Sequence, residues 1–435
     1  MGLEDYIGTK VSLLVNGQEF TRWQSYEIES DLLQESDAFS FTADNSNGKF
    51  ATHPIGPGDE FKLFLDDQLQ MTGNIDDVAY QCSADGASVT ISGRDKFAFL
   101  IDCSADLEHY RNPDLKILAE KVSSKWISTW EIQNDSNRNA LIRKATAKAK
   151  QARRQYEKEF DSQIVASPRY EVLKQKHDNK TASAAQEAEF AEINASVDEY
   201  ENKANTAKKN AAKLKNKLYP SVKVEPGESP MAIISREAKK GQFLTWMSHD
   251  GKGIISRPEY CTKPVYKICM YPRTDIRYKQ NNAISMSVND SWRDRFSKVT
   301  VYGSKGNTKA RYGRGASYAG SAIDEDLIIK KLYKPLIITD GDVDDIDEAR
   351  KRANEEIERR VFESLVLNFT VRDHFGESAD GGGAPIPWQI DTLCNVEDLI
   401  SGFSGTYYIT KRRFKGDESG RFTELEMHQV GIWLI

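Results

Sequence analysis

Residues 60–93 read EFKLFLDDQLQMTGNIDDVAYQCSADGASVTISG, and this stretch decides the fold. Apolar residues alternate with polar ones on either side of two turns, Asp66-Asp67 and Asp85-Gly86, which is typical of three antiparallel strands. An earlier hairpin is predicted to turn at Asn16-Gly17. Short strands separated by frequent turns predict that residues 1–95 form a small antiparallel β-barrel or sandwich.

A second stretch, Trp388–Gln429, has the same succession of elements. A strand leads to an acidic turn at Glu397-Asp398, and two further strands flank a turn at Gly416–Gly420. Any two meanders could look alike at this level of detail, and that alternative stays open. If the repeat is real, the chain holds two similar barrels, the second at 284–435 with one helix at 346–363. Three such chains in a ring would offer six similar barrels, which lets a threefold object mate with a sixfold one.

Between the strand-rich parts lies a long helical arm, Asn139–Leu218, which contains no glycine and one proline, Pro168. Two matched lengths flank a polar break at 178–181, which predicts an antiparallel helical hairpin with its tip there. Apolar residues at alternating three- and four-residue spacing on the returning length predict a coiled-coil seam. We therefore predict an α+β, mainly β chain. A small α/β domain (96–135 and 221–283) carries the hairpin as an insertion at 136–220.

Charge is unevenly distributed along the chain. The formal net charge is −6, but Arg138–Leu218 carries 18 Lys/Arg and 11 Asp/Glu, so the arm is +7 and the remainder −13. The acidic remainder argues against a general nucleic-acid binder. The start of the arm is basic, which predicts either a solvated helical surface or a contact with a nucleic acid or an acidic partner. The residues concerned are Arg138, Arg143, Lys144, Lys148, Lys150, Arg153 and Arg154.

Candidate chemical sites are weak. Five cysteines without a CxxC pair fit a reduced compartment better than a zinc site or a disulfide framework. The segment Asp340–Asp345 begins like a calcium loop, but Asp345 and Lys351 replace the required glycine and glutamate. The loop Gly313–Gly320 is not a dinucleotide fingerprint, and the six histidines are scattered. We predict no catalytic, cofactor-binding or metal-binding residues, no cofactor and no membrane span.

Several ordered motifs resemble the baseplate hub proteins of Mu-like contractile-tailed phages. They are Ser92-Gly-Arg-Asp-Lys96 leading to Leu100-Ile-Asp-Cys103, Asp290–Ser297, and Tyr333–Asp340. The motif positions are Gly93, Arg94, Asp95, Asp102, Arg293, Asp294, Arg295, Phe296 and Pro335. The arm departs from the family pattern, which has a much shorter connection there.

The resemblance implies a homotrimeric structural hub whose two barrels per subunit form a pseudo-sixfold ring. That ring would join the tail tube, or a tube-initiator protein, to the central spike. It would lie in the virion tail baseplate after assembly in the host cytoplasm, and the arm could meet tape-measure or wedge proteins. The family has no catalytic residues to carry over. The alternatives are the hub of a phage-like bacteriocin or type VI secretion spike and, from another class, a tail-associated enzyme that degrades the cell wall.

Overall fold

The computed structural model describes residues 9–48, 50, 55–84, 86–111, 113–132, 136–165, 167–218, 221–239, 243–258, 263–304, 317–341, 343, 346–381 and 384–430. Side chains at 136–143, 165, 212–218, 304 and 317–318 lie outside this description. The chain divides into two compact units. One comprises Met1–Ala105, Ala119–Gln133 and Gly227–Ile435, and the other comprises Asp106–Leu118 and Asn134–Pro226.

The first strands follow the alternation in the sequence. They are β1 Val11–Val15, β2 Gln18–Phe20, β3 Ser25–Asp31, β4 Ala38–Asp44, β5 Glu60–Leu65, β6 Gln68–Ser83 and β7 Gly86–Asp95. The predicted turns are present: Asn16 and Gly17 have φ of 51° and 78°, and Asp66 and Asp67 have φ of 43° and 65°. Positive φ at both central residues is typical of the turn in a two-residue hairpin, because the twist of that turn matches the twist of the flanking strands.

The middle of the chain alternates short helices and strands around the arm. The elements are α1 Phe97–Asp102, β8 His109–Tyr110, α2 Leu115–Val122, β9 Trp130–Ile132, α3 Ser136–Phe160, α4 Pro168–Asp178, α5 Ala184–Leu218, β10 Val222–Lys223, α6 Pro230–Lys239, β11 Leu244–Met247 and β12 Gly253–Ser256. Strands β11, β12 and β9 form a small sheet in that order, in which β12 runs parallel to β9.

The arm consists of helices on either side of a turn that follows Asp178. Its outgoing length is interrupted, however, by a π-helical turn at Asp161–Val165 and by Pro168. Ser167 caps α4 by accepting a hydrogen bond from the Tyr170 amide, and proline fits the first helical turn because no amide donor is needed there. The outgoing length is therefore helices α3 and α4, while α5 returns unbroken.

The remaining elements complete the fold. They are β13 Tyr266–Met270, β14 Ala283–Asp290, β15 Lys298–Ser304, β16 Ser317–Ile323, α7 Glu325–Ile329, β17 Pro335–Asp340, α8 Ile346–Ser364, β18 Leu365–Arg372, β19 Phe375–Gly376, β20 Ile386–Pro387, β21 Thr392–Asp398, β22 Gly405–Asp417 and β23 Gly420–Gln429. Strands β16, β15 and β17 form a separate sheet, on which α8 packs closely enough that a Cβ at Gly320 would lie 2.2 Å from the Arg350 amide nitrogen. Asp345, which directly precedes α8, lies outside the described residues.

One large sheet joins both strand-rich halves. Its order is β14-β18-β23-β22-β3-β4-β7-β6-β5-β1-β2. In addition, β21 pairs with the first part of β22, and β13 pairs with β21. Aromatic and aliphatic side chains from both halves form one buried cluster on this sheet, including Trp23, Phe41, Ile91, Phe369 and Leu425. The mainly β, α+β class is confirmed. The two barrels are not, because the described strands form a sheet with free ends rather than closed barrels.

Candidate functional site

The first group of motif positions lies where β7 ends and α1 begins. Gly93 is required by close packing, since a Cβ there would lie 2.6 Å from the Asn74 carbonyl oxygen. The Arg94 guanidinium bridges two carboxylates, with its Nε 2.7 Å from Asp76 Oδ2 and its Nη2 2.7 Å from Asp102 Oδ2. These positions therefore join β6, β7 and α1, and their geometry is that of a structural brace.

Asp95 is the buried member of this group. Its carboxylate accepts hydrogen bonds from the Ser36 hydroxyl at 2.7 Å, the Asp37 amide at 3.0 Å and the Phe97 amide at 2.9 Å. Burial, with a contribution from the nearby Asp37 carboxylate, raises the pKa of Asp95 to about 7. The pKa of Asp37 is likewise raised to about 6, chiefly by burial. The pair fixes the approach of β4 to β7.

The second group of motif positions lies beside the β16-β15-β17 sheet. Arg295 forms a two-pronged pair with Asp324, with Nε to Oδ2 at 2.8 Å and Nη2 to Oδ1 at 2.7 Å, and Nη2 also lies 2.9 Å from Asp326 Oδ2. Asp324 in turn caps α7 by accepting from the Leu327 amide. Pro335 begins β17, opposite Lys298 of β15.

Aromatic and cationic side chains surround Phe296. The Lys334 Nζ and the Arg360 guanidinium carbon lie 4.7 Å and 4.6 Å from its ring centre, and Arg360 also donates to the Asp294 carbonyl at 2.7 Å. Lys334 donates to the Arg293 carbonyl as well. A shallow cleft of about 610 Å³ opens here, lined by Asp290, Ser291, Trp292, Arg293, Leu332, Tyr333 and Lys334. Trp292 and Tyr333 are 55% and 86% exposed, so two large aromatic side chains of this mixed polar and apolar cleft face solvent.

The basic residues at the start of the arm lie on α3. Lys144, Lys148, Lys150, Arg153 and Arg154 are exposed, whereas the side chains of Arg138 and Arg143 lie outside the described residues. Arg153 pairs with Glu157 at 2.9 Å and covers the Tyr156 ring, so part of its charge is used within the helix. The exposed basic residues occupy the part of α3 away from its half-buried alanines. This exposure is compatible with a solvated helical surface and with a contact surface for a partner.

The strand order repeats, and the repeat is longer than the sequence indicated. In the first half the order is β3-β4-β7-β6-β5-β1, and in the second it is β14-β18-β23-β22-β21-β13. Both β6 and β22 carry a bulge against the following strand, after Ile75 and Ile409 respectively. The two copies of the repeat differ in the direction of their last strand: β1 is antiparallel to β5, whereas β13 is parallel to β21.

The junction between the two repeats is a strand pair that the sequence analysis missed. The second half of β22 pairs antiparallel with β3, from Lys411 opposite Asp31 to Gly416 opposite Tyr26. Two ion pairs cross one face of this junction, Lys411 with Glu29 at 2.6 Å and Arg413 with Glu27 at 3.1 Å. Lys415, on the same face, pairs with Glu424 of β23 at 2.8 Å. The alternating charges of Glu27–Asp31 and Lys411–Lys415 were the available signal.

A buried arginine lies on the other face of the same junction. The Arg412 guanidinium donates to Gln70 Oε1 at 3.0 Å, to the Trp388 carbonyl and to the Ser30 hydroxyl at 3.5 Å. Burial lowers its pKa to about 10. Because its partners belong to both repeats, this side chain holds the two halves of the sheet in register.

The weaker candidate sites have the following outcomes. Within the described residues, no group of three or more His, Cys, Asp or Glu side chains is arranged to hold a metal ion. Asp342, Asp344 and Asp345 of the calcium-like segment, and residues 313–316 of the Gly313–Gly320 loop, lie outside those residues, whereas 317–320 belong to β16. Cys82, Cys103, Cys269 and Cys394 are free thiols, and Cys261 is outside the description. No described helix is both long enough and apolar enough to cross a membrane.

Comparisons with known proteins match two parts of this chain to families of phage tail proteins. Residues 10–95 match the model of the Mu phage baseplate assembly protein GpP-like family, N-terminal domain, and residues 295–356 match the third domain of NMB1110-like tail proteins. The baseplate hub protein gp44 of Escherichia phage Mu is 29% identical over 135 residues. The Mu-like hub resemblance is confirmed. That alignment covers 30% of this chain and only 35% of the phage Mu protein.

Two solved structures have the same fold over nearly the whole chain. The tail protein from Neisseria meningitidis MC58 has a TM-score of 0.65 at 21% identity and covers 98% of each chain. The 43 kDa tail protein of prophage MuSo2 from Shewanella oneidensis has a TM-score of 0.66 at 20% identity and covers 96% of this chain and 98% of its own. At these identities the similarity establishes the fold.

Proposed function

We propose that this chain is a non-catalytic structural subunit of a phage tail baseplate hub. Three copies form a ring of six similar β-units, which mates with a sixfold tail tube on one side and holds a threefold central spike on the other. The observation that carries the proposal is the repeated six-strand order, because one chain then supplies two similar units to a ring. The similarity to the phage Mu hub protein supports the same role.

The junction between the repeats fits a part that transmits load. Across β3 and β22 the two units are joined by backbone hydrogen bonds, by ion pairs on one face and by the buried Arg412 on the other. Force applied to one unit therefore passes to the other through a continuous sheet rather than through a flexible linker. A hub between tube and spike needs this stiffness.

The arm is proposed to reach an additional baseplate component, such as a tape-measure or wedge protein. The exposed Lys144, Lys148, Lys150 and Arg154 are its charged contact surface, and the partner surface would be acidic. The arm is an accessory in this proposal, since the repeated sheet carries the hub role without it.

The proposal is tested by measuring the mass of the purified chain, alone and after co-expression with a spike protein. We expect a trimer in at least the second preparation. Only monomers or dimers in both would overturn the ring. The enzyme alternative is tested on the same sample with peptidoglycan, where clear turnover that a single carboxylate substitution abolishes would contradict the non-catalytic role.

A further inference from the structure

Several strand edges of the large sheet have no strand partner among the described residues, and two of them correspond to edges that are paired elsewhere in the repeat. One is the second half of β6, because β5 pairs with it only as far as Asn74 while β6 continues to Ser83. The other is the outer edge of β14, which pairs on its opposite edge with β18. Unpaired backbone donors and acceptors along an edge are a template for another strand.

The chain contains a template for how these edges meet. Strand β22 corresponds to β6 in the repeat, and its second half is occupied by β3. Strand β3 in turn corresponds to β14. The repeat therefore predicts that β14 pairs with the second half of β6, as β3 pairs with the second half of β22. Both strands belong to one chain, but the equivalent step joins the second repeat of one copy to the first repeat of the next.

The register of this second junction follows from the bulges. Starting one residue after each bulge, a line of paired residues can be traced across each repeat to the free strand. In the first repeat it runs Asp77, Ser92, Ser40, Glu27, and in the second it runs Lys411, Glu426, Asn368, Ser287. Glu27 thus corresponds to Ser287, and Lys415, which faces Glu27, corresponds to Gln81.

We propose that β14 of one copy pairs antiparallel with the second half of β6 of the next copy, with Gln81 opposite Ser287 and Tyr80 opposite Val288. This inference rests on the proposed ring and specifies its intermolecular joint. The side chains suit it. Tyr80 is 49% exposed in the single chain, and Met286 and Val288 are only partly buried against the core, so pairing would cover apolar surface.

The two kinds of junction differ in charge. The junction within the chain carries the Lys411–Glu29 and Arg413–Glu27 ion pairs. The positions that correspond to Lys411, Arg413 and Lys415 are Asp77, Ala79 and Gln81, and the last two would face the uncharged Asn289 and Ser287 of the next copy. The joint between copies therefore lacks charged pairs at these positions and depends on backbone hydrogen bonds and apolar contact. We expect its affinity to change little between low and moderate salt.

The register selects the best position for a covalent test. The Leu32 amide donates to the Thr410 carbonyl at 2.9 Å, so this pair is a hydrogen-bonded one. Every second pair along β3 and β22, counted from it, is hydrogen-bonded as well. The two kinds of pair alternate along an antiparallel ladder, and Lys415 opposite Glu27 is an odd number of residues away from that pair. It is therefore a non-hydrogen-bonded pair, in which the side chains lie closer together. Gln81 and Ser287 correspond to Lys415 and Glu27 in the repeat and would also form a non-hydrogen-bonded pair. A disulfide between copies is geometrically favoured there.

The experiment uses the full chain in which the exposed Cys82 is replaced by Ser. Gln81→Cys with Ser287→Cys is oxidised gently, and the covalent products are separated under denaturing conditions. We expect chain-to-chain disulfides with products up to three chains. The matched control is Gln81→Cys with Val288→Cys, in which the second thiol points to the other face of the sheet, and it should give at least tenfold less product.

A second pair of variants tests the contact without cysteines. Tyr80→Lys places a charge where pairing would bury it, whereas Ala79→Lys places the same charge on the outward face. We expect the trimer to weaken at least tenfold with Tyr80→Lys and much less with Ala79→Lys. Both residues are exposed in the single chain, so neither change should impair folding.

The outcomes separate this inference from the proposed function. A trimeric mass with equal disulfide yields in the test and control variants would overturn the β6–β14 joint and leave the hub proposal standing. Selective disulfides that extend beyond three chains would support the joint and contradict the closed trimer. Monomers at every concentration, without selective disulfides, would overturn both.

Discussion

Gly416 is the residue on which the junction between repeats depends most directly. It lies opposite Tyr26 in the β22–β3 pair, and a Cβ at this position would lie 2.3 Å from the Tyr26 ring. The ring cannot move aside easily, since Tyr26 is buried and its hydroxyl hydrogen-bonds His374 Nε2 at 2.7 Å. Glycine is therefore required here by packing and not by backbone conformation.

Gly416→Ala should lower the free energy of unfolding by about 2 kcal/mol, the usual cost of forcing an extra methyl into a packed site. Gly341→Ala is the control, because nothing lies within 4 Å of its added Cβ and its φ is not positive. The control should change stability by less than about 0.5 kcal/mol. Chemical denaturation measures both, and equal effects in the two variants would contradict the packing argument.

Asp95 predicts a specific pH dependence. Its pKa is about 7 in the folded chain and would be about 4 in the unfolded chain, so the folded state binds more protons in between. Stability from this group is therefore present at low pH and is lost as pH rises from about 4 to 7. We expect the denaturation midpoint of the wild type to fall more between pH 5 and pH 8 than that of Asp95→Asn.

The matched control for this pH profile is Asp102→Asn. Arg94 lowers the pKa of Asp102, so its contribution has the opposite sign and is already complete at pH 5. Asp102→Asn should keep the wild-type slope between pH 5 and pH 8. If Asp95→Asn also keeps that slope, the carboxylate is ionised throughout and the assigned pKa is wrong.

At the scale of elements, local pattern was a good guide to strands and helices and a poor guide to their partners. Alternation and turn residues located β5, β6 and β7, and the polar break located the hairpin tip at Asp178. The β22–β3 pair, the parallel β13–β21 pair and the Arg295–Asp324 bridge join residues far apart in sequence. Such pairings are decided by edge complementarity and by which surfaces remain to be covered, and no short window of sequence contains that information.

The arm can be removed as an element if it is the insertion that the sequence predicts. It packs on itself: Leu173, Val197 and Ala204 are buried, Tyr170 stacks on Phe190 at 5.3 Å, and Arg169 pairs with Glu189 at 2.6 Å. Replacing Arg138–Leu218 with a short Gly/Ser linker should leave a soluble chain.

The readout for this deletion is the near-ultraviolet circular dichroism of the remaining tryptophans, which should keep its wild-type shape. A matched control replaces the same residues with an unrelated helical hairpin of equal length. Loss of soluble protein in the deletion, with rescue by the unrelated hairpin, would show that the connection rather than this sequence is needed. Loss in both would contradict the insertion.

At the scale of the whole molecule, a continuous sheet predicts that the two repeats unfold together. Strands β4 and β18 occupy equivalent places in the two repeats and share one buried cluster. Their slowest-exchanging amides should open with the same free energy in native-state hydrogen exchange. Gly416→Ala should lower both by the same amount, because it damages the joint that they share.

The control for this exchange experiment is a change in the arm, Arg169→Ala, which removes a pair internal to the hairpin. It should leave the protection of β4 and β18 unchanged. Independent opening of the two repeats, with Gly416→Ala affecting only β18, would mean that the β22–β3 pair does not couple them.

The β22–β3 junction also has a consequence for the thermodynamics of building the proposed ring. A ring built from six separate units would need five associations, and each association costs an estimated 4–15 kcal/mol in lost translational and rotational freedom. Three chains that each hold two units already in register lose that freedom only twice. Within a chain the first joint forms at the effective concentration set by a covalent connection, independent of how dilute the protein is. Each joint between copies can then be weak on its own and still close a ring, and errors in assembly remain reversible until the third chain binds.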